Sequence, residues 1–153
     1  MSRRDQIAMA ALEVAELLEE SRVVICATNG VGGWPHLMPL WYVIRDGELW
    51  SWTYAKSQKV RNLERDPRAT LQIEHGESYD QLRGVMIEAE TEIHRDAELV
   101  AELGSDLAAR YGAGSLTPEA MAAIRTQAAK RVGLKFVARR TASWDHRKLG
   151  GAY

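Results

Sequence analysis

The chain has 153 residues, 20 lysines and arginines against 21 carboxylates, and 46% hydrophobic residues. Those values fit one soluble globular domain, 1–153, with a full hydrophobic core and no global field to draw nucleic acid or an anionic membrane. A single cysteine, Cys26, excludes an intrachain disulfide and a cysteine-built zinc site, and it fits a reducing, cytoplasmic setting.

The opening MSRRDQIAMAALEVAELLEE is too acidic for a secretory signal or a transit peptide, and no apolar run reaches bilayer-spanning length. Within it, residues 5–20 predict an amphipathic helix with Ile7, Leu12, Ala15 and Leu18 toward the body and four glutamates on other faces. SRVVICATN reads as a strand and GVGGW as a glycine turn. PHLMPLWYVIRDGELWSWTY reads as two strands joined by a hairpin at Asp46–Gly47. Pro35 and Pro39 cannot donate to a ladder, which places that strand at an edge or a bulge.

TYAKSQKVRNLERDP predicts a turn and a short helix, N-capped by Ser57, burying Val60 and Leu63 and stopped by Pro67. RATLQIEH is a further strand, followed by the polar loop GESYDQ. LRGVMIEAETEIH alternates, with Val85, Ile87, Ala89, Thr91 and Ile93 on one face and Glu88, Glu90, Glu92 and His94 on the other. Residues 96–111 and 118–130 read as helices separated by GAGSLTP, and VGLKFVARRTASW returns to strand. About six strands with interposed helices predict a small, mostly antiparallel β-barrel with flanking helices. With no G-x-G-x-x-G after a strand, a doubly wound parallel sheet fits poorly.

Hydrolytic and metal chemistry find no support. His36, His75, His94 and His146 are scattered without metal-ligand spacing, and neither a G-x-S-x-G elbow nor a P-loop is present. Glu90, Glu92 and His94 read as a solvated outer strand face, and Cys26 as a buried structural residue. No residue is assigned a catalytic role. The helix after Ser57 poses a sharper question, because Lys56, Lys59 and Arg61 crowd the end where the macrodipole is positive. Each oriented lysine there costs about 0.3–1 kcal/mol, a cost that vanishes if the side chains bend into solvent. The alternative is an anion site, in which the Ser57 hydroxyl, the first-turn N–H groups and the lysines cradle a phosphate. Four of the five tryptophans fall between Trp34 and Trp52, just before this turn. They serve as core or as an apolar wall, and a ring with a phosphate tail needs such a wall beside its phosphate clamp.

At these residues the chain resembles the flavin-binding split barrels related to pyridoxamine 5'-phosphate oxidase. The match is WTYAKSQKVRNLERDP, with Trp52 and Thr53 at the family's aromatic–Thr pair and Ser57 and Lys59 at its phosphate-binding positions. Gln58 stands where the oxidases carry Arg, with Lys56 able to replace that charge. PLWY (Pro39, Leu40, Trp41, Tyr42) matches the strand whose backbone lines the ring. LRGVMIEAE matches a later strand, with Arg83 beside Gly84 where the oxidases have Arg-Gln. ATNGVGGWPHLMPLWYV, WTYAKSQKVRNLERDPR and SWDHRKLGG are similar to the actinobacterial branch that uses the deazaflavin F420. The resemblance implies a six-stranded antiparallel split β-barrel and a homodimer with two interfacial cofactor sites. It also implies an F420-dependent oxidoreductase transferring a hydride to an unsaturated small molecule. FMN is the alternative cofactor, and a non-catalytic F420 carrier or a scaffold with a vacated site are the other readings. The longer acidic tail of F420 would draw on Lys56, Lys59 and Arg61, joined by Arg139, Arg140, Arg147 and Lys148.

Overall fold

Asp46 and Gly47 both have positive φ, 50° and 77°. A two-residue type I′ turn requires that pair, and Asp-Gly adopts it at little cost. The turn joins β3 (Val43–Arg45) to β4 (Glu48–Tyr54), with Val43 opposite Trp50. The computed structural model describes residues 1–112 and 115–151. Its strands form one seven-stranded sheet in the order β2 (Pro35–Leu40), β1 (Val24–Asn29), β5 (Arg68–His75), β6 (Arg83–His94), β7 (Arg131–Asp145), β4, β3. Every neighbouring pair is antiparallel, and the sheet curls into the half-barrel of a split-barrel fold with flanking helices.

Seven strands replace the expected six because PHLMPLWYVIR is not one strand. It breaks at Trp41–Tyr42, so that its first half pairs with β1 and its second with β4, at opposite edges of the sheet. Pro35 and Pro39 lie on the outermost strand, where a missing N–H costs least. In β6 the alternation holds, with Val85, Ile87, Ala89 and Thr91 buried and Ile93 half-buried.

The N-terminal helix is two helices, α1 (Arg3–Ile7) and α2 (Ala11–Glu20). Glu13 Oε2 accepts the Ala10 N–H at 2.6 Å, and Ser143 Oγ accepts the Met9 N–H at 3.0 Å, so a new helix begins with its phase reset. Leu12, expected inward, is 78% exposed and Ala15 is also exposed, whereas Leu17 and Leu18 enter the barrel core. There they meet Leu49, Leu71, Ile87 and Phe136. A second, smaller core lies where α4 (Ala97–Tyr111) covers β3 and β4, built on Val43, Trp50, Leu103 and Leu107. α5 (Pro118–Ala128) packs on α4, and of the GAGSLTP connection residues 113 and 114 lie outside the described residues. Among the described residues no helix is long and apolar enough to cross a membrane.

Candidate functional site

The turn after β4 leads into α3 (Gln58–Arg65), where the Ser57 hydroxyl accepts the Val60 N–H at 3.4 Å, and Val60 and Leu63 are buried. Two polar side chains also turn inward. Asn62 is fully enclosed, donating to Thr28 Oγ1 at 3.1 Å and accepting from Gln58 Nε2 at 2.9 Å. Lys59 is 5% exposed, and its Nζ donates to Thr53 Oγ1 at 3.1 Å. Among the described residues no carboxylate pairs with it. Burial holds its pKa below the usual lysine range. The neighbouring Cys26 thiol cannot serve as counter-ion, because burial pushes it up to about 12. An enclosed ammonium with one neutral partner costs several kcal/mol in desolvation. Lys56 and Arg61, both exposed, likewise form no ion pair among the described residues.

Ser57, Lys59 and Thr53 therefore come together, with Lys56 at the rim. The tryptophans do not join them. Trp52 projects from the opposite face of β4 onto α4, where a Cβ built on Gly104 would lie 2.4 Å from its ring. Its other side meets the Arg131 guanidinium, 4.6 Å from the ring centroid. Trp50 is buried under the same helix. The expected aromatic wall is thus the floor of the second core.

Trp41 is 58% exposed but stacks on Tyr111, centroids 4.4 Å apart and planes 2° apart. Its carbonyl accepts from Ser51 Oγ at 2.6 Å. Tyr42 N–H and C=O both engage the Tyr111 hydroxyl at 2.9 Å. Of the PLWY segment, Pro39 is exposed on β2 opposite Ile25, and Leu40, opposite Val24, is half-buried against the barrel core. Arg83 stands apart, held by Glu20. Lys59 lies beside Cys26, in the row Cys26–Leu71–Ile87, and Arg83 is two strands across and four residues further along β6. That is about 13 Å along the strand at ~3.3 Å per residue. One chain does not bring Arg83 to the α3 turn.

The basic residues nearer the C-terminus are also committed. Arg139 pairs with Glu90 at 3.0 Å, Arg140 with Glu88 at 3.5 Å, Arg147 with Asp145 at 2.6 Å and Lys148 with Glu13 at 2.7 Å. With Lys135–Glu92 at 3.7 Å, the carboxylate face of β6 is a cross-strand ion-pair ladder. No group of metal-ligating side chains occurs among the described residues. The SWDHRKLGG segment clamps the N-terminus, since Ser143 takes the Met9 N–H and Lys148 Nζ donates to the Ala8 carbonyl at 2.8 Å. His36 was read in the sequence only as one of four scattered histidines. It faces Thr28 across the β1–β2 ladder, and its Nδ1 is buried without a partner. Its only signal was a polar residue on an apolar, proline-flanked strand.

A family model described as pyridoxamine 5'-phosphate oxidase matches residues 11–145. The chain belongs to that family. No curated protein matches it. Among solved structures, conserved hypothetical protein Rv2991 from Mycobacterium tuberculosis is 43% identical, with a TM-score of 0.91 over 100% of this chain and 95% of its own. Two more distant members of the fold are an FAD-binding protein from Mesorhizobium loti and an F420 reductase. The first is 19% identical at TM-score 0.64, covering 89% of this chain and 94% of its own. The second is 21% identical at TM-score 0.63, covering 83% and 94%.

Proposed function

We propose that the protein is an F420-dependent oxidoreductase that reduces an unsaturated small organic molecule. The observation behind it is Lys59, a cation enclosed without a counter-charge at the first turn of a helix, with a second unpaired lysine, Lys56, just before the N-cap. A cofactor phosphate at that turn supplies the missing charge, so the residues present fit the group. A deazaflavin, when bound, supplies two-electron hydride chemistry. The chain's part is to hold and orient. The first-turn N–H groups and Lys56 bind the phosphate, Lys59 neutralises it from inside, and Thr53 fixes the Lys59 ammonium. The free edge of β2 at Pro39 and Leu40 offers backbone to the ring.

A homodimer completes this reading. Residues 23–44 contain no Asp, Glu, Lys or Arg, and along them Val31, Trp34, Leu37 and Met38 are exposed. An interfacial site would take Arg83 from the second copy, since one chain's own Arg83 does not reach the turn. Leu37→Glu should give monomers by sedimentation, and an unchanged dimer would move the interface elsewhere.

A specific observation favours FMN as the second reading. Arg139, Arg140, Arg147 and Lys148, expected to serve a long acidic tail, are all paired internally. Titrating the protein with F420 and with FMN while following tryptophan fluorescence separates the two. Micromolar F420 binding is expected, and FMN binding without an F420 response overturns the proposal. A reductase also oxidises reduced F420 with at least one member of a panel of unsaturated substrates, whereas a carrier binds without turnover.

A further inference from the structure

Trp41 sits at the break between β2 and β3, and both its backbone and its ring are fixed. Its carbonyl accepts from Ser51 Oγ of β4 at 2.6 Å, and its indole lies on the Tyr111 ring with planes 2° apart. Tyr111 cannot turn away, because its hydroxyl accepts the Tyr42 N–H and donates to the Tyr42 carbonyl, both at 2.9 Å. The guanidiniums of Arg22 and Arg110 each stand 5.7 Å from the centroid of the same tyrosine ring. A series of contacts thus runs from two cations through Tyr111 to Trp41.

The series ends at an open surface. Tyr111 covers one face of the indole, yet 58% of Trp41 is exposed, so the second face meets solvent. Anchoring α4 accounts for the covered face, since Tyr111 is the last residue of that helix. It does not account for a large apolar ring left uncovered on the other side, when the Tyr111 hydroxyl already ties the helix to Tyr42. Trp34, 82% exposed on the β1–β2 connection, is not held in this way and has no ring partner among the described residues.

The surroundings select the ligand. Residues 23–44 contain no Asp, Glu, Lys or Arg. Val23, 43% exposed, lies one step beyond the Val24–Leu40 pair and so is level with Trp41. Pro39, at the strand edge proposed above to meet the cofactor ring, is two residues before Trp41, about 7 Å along the chain. A fixed aromatic plane in uncharged surroundings favours a flat conjugated ring over an ion or a saturated skeleton. Stacking needs a π-face on both partners, and a platform already held rigid loses little entropy on binding.

We infer that the open face of Trp41 is the platform on which the substrate stacks, and that the substrate class is a flat, uncharged conjugated ring. The inference rests on the cofactor reading above for what that ring undergoes, whereas the stacking surface rests on Trp41 and Tyr111 alone.

The test measures dissociation constants by equilibrium dialysis for 2-naphthol, for its saturated counterpart 2-decalol and for 2-naphthoate. Wild type, Trp41→Phe, Trp41→Leu and Trp34→Leu are compared, each with and without saturating F420 or FMN. In wild type 2-naphthol is expected to bind about ten-fold more tightly than 2-decalol, the scale of one aromatic stacking contact, and no less tightly than 2-naphthoate. Trp41→Leu is expected to lose that advantage, Trp41→Phe to keep most of it and Trp34→Leu to change nothing. Hydroxyl-radical footprinting of the wild type gives the same answer without a variant, since 2-naphthol should protect Trp41 and not Trp34. Equal affinities for the flat and saturated probes, an equal loss in Trp34→Leu, or an unchanged footprint at Trp41 overturn the platform and leave the cofactor reading standing. A Leu37→Glu monomer that binds 2-naphthol where wild type does not shows that a second copy covers Trp41, and overturns it likewise. Tighter binding of 2-naphthoate overturns the choice of an uncharged ring. Displacement of 2-naphthol by the cofactor overturns the assignment to a substrate. If neither F420 nor FMN binds, the cofactor reading fails and takes that assignment with it.

Discussion

Replacing Lys59 by methionine should stabilise the empty protein while damaging its ligand site, a combination that a structural lysine would not produce. The side chain is 5% exposed and its ammonium has one neutral partner, Thr53 Oγ1, at 3.1 Å. Methionine keeps the volume and removes the desolvated charge. Against that gain stands one lost hydrogen bond, about 1 kcal/mol, to a half-buried hydroxyl that water can reach. Uncompensated burial of a charge costs several kcal/mol, so the net change expected in urea unfolding is about +1–3 kcal/mol. The pH dependence follows from the lowered lysine pKa. Below the folded-state value the ammonium is charged in both states and its burial penalty is fully present. As pH rises from there toward the ordinary lysine value, the folded state sheds its proton first and stability rises. The advantage of Lys59→Met should therefore be largest near neutrality and shrink on the alkaline side. Phosphate-bearing cofactor should bind about 1.5–3 kcal/mol more weakly, the range of a charge-assisted hydrogen bond. A destabilised variant with unchanged affinity would refute the reasoning and make Lys59 a packing residue.

Ser57→Ala removes the cap of α3 and should cost about 1 kcal/mol, lowering Tm by about 2–4 °C in a scan of the apo-protein. Gly104→Ala places a methyl 2.4 Å from the Trp52 ring and should cost about 1–3 kcal/mol, with altered near-ultraviolet tryptophan dichroism as α4 shifts from β4. Arg110→Met strips the C-terminus of α2 of donors to the Leu18, Glu19 and Ser21 carbonyls at 3.0, 3.0 and 2.9 Å. Loss of about 2–3 kcal/mol by urea unfolding is expected, on the scale of hydrogen bonds to a charged group.

Much of this architecture was legible because its cause is local. Ser57 announces α3, Asp46–Gly47 announces its hairpin, the prolines mark β2 as an edge, and the alternation of β6 names its buried face. What escaped reading depended on partners distant in sequence. The split at Trp41–Tyr42 follows from Tyr111, whose hydroxyl takes both backbone groups of Tyr42. The exposure of Leu12 follows from a helix break fixed by Ser143. Periodicity shows that Trp50 and Trp52 share a face, but not that α4 covers it. Cross-strand pairing likewise decided that Arg139 and Arg140 answer Glu90 and Glu88 rather than a ligand.

Those corrections narrow the site instead of dissolving it. Removing the tryptophan wall and the C-terminal arginines leaves Lys56, Lys59 and Arg61 around the first turn of α3 and Lys130 close by, none of them in an ion pair among the described residues. Three of them flank the first turn of α3, and Lys130 shares a hollow with Lys56. A chain with net charge −1 has carboxylates enough to pair with them. That they stay unpaired while Arg139 and Arg140 of β7 are matched residue by residue is a property of placement, not of supply. At the exposed positions Lys56 and Arg61 the α3 dipole would favour carboxylates, and the sequence supplies cations. The anion proposed at this turn would offset both that opposition and the enclosed ammonium of Lys59.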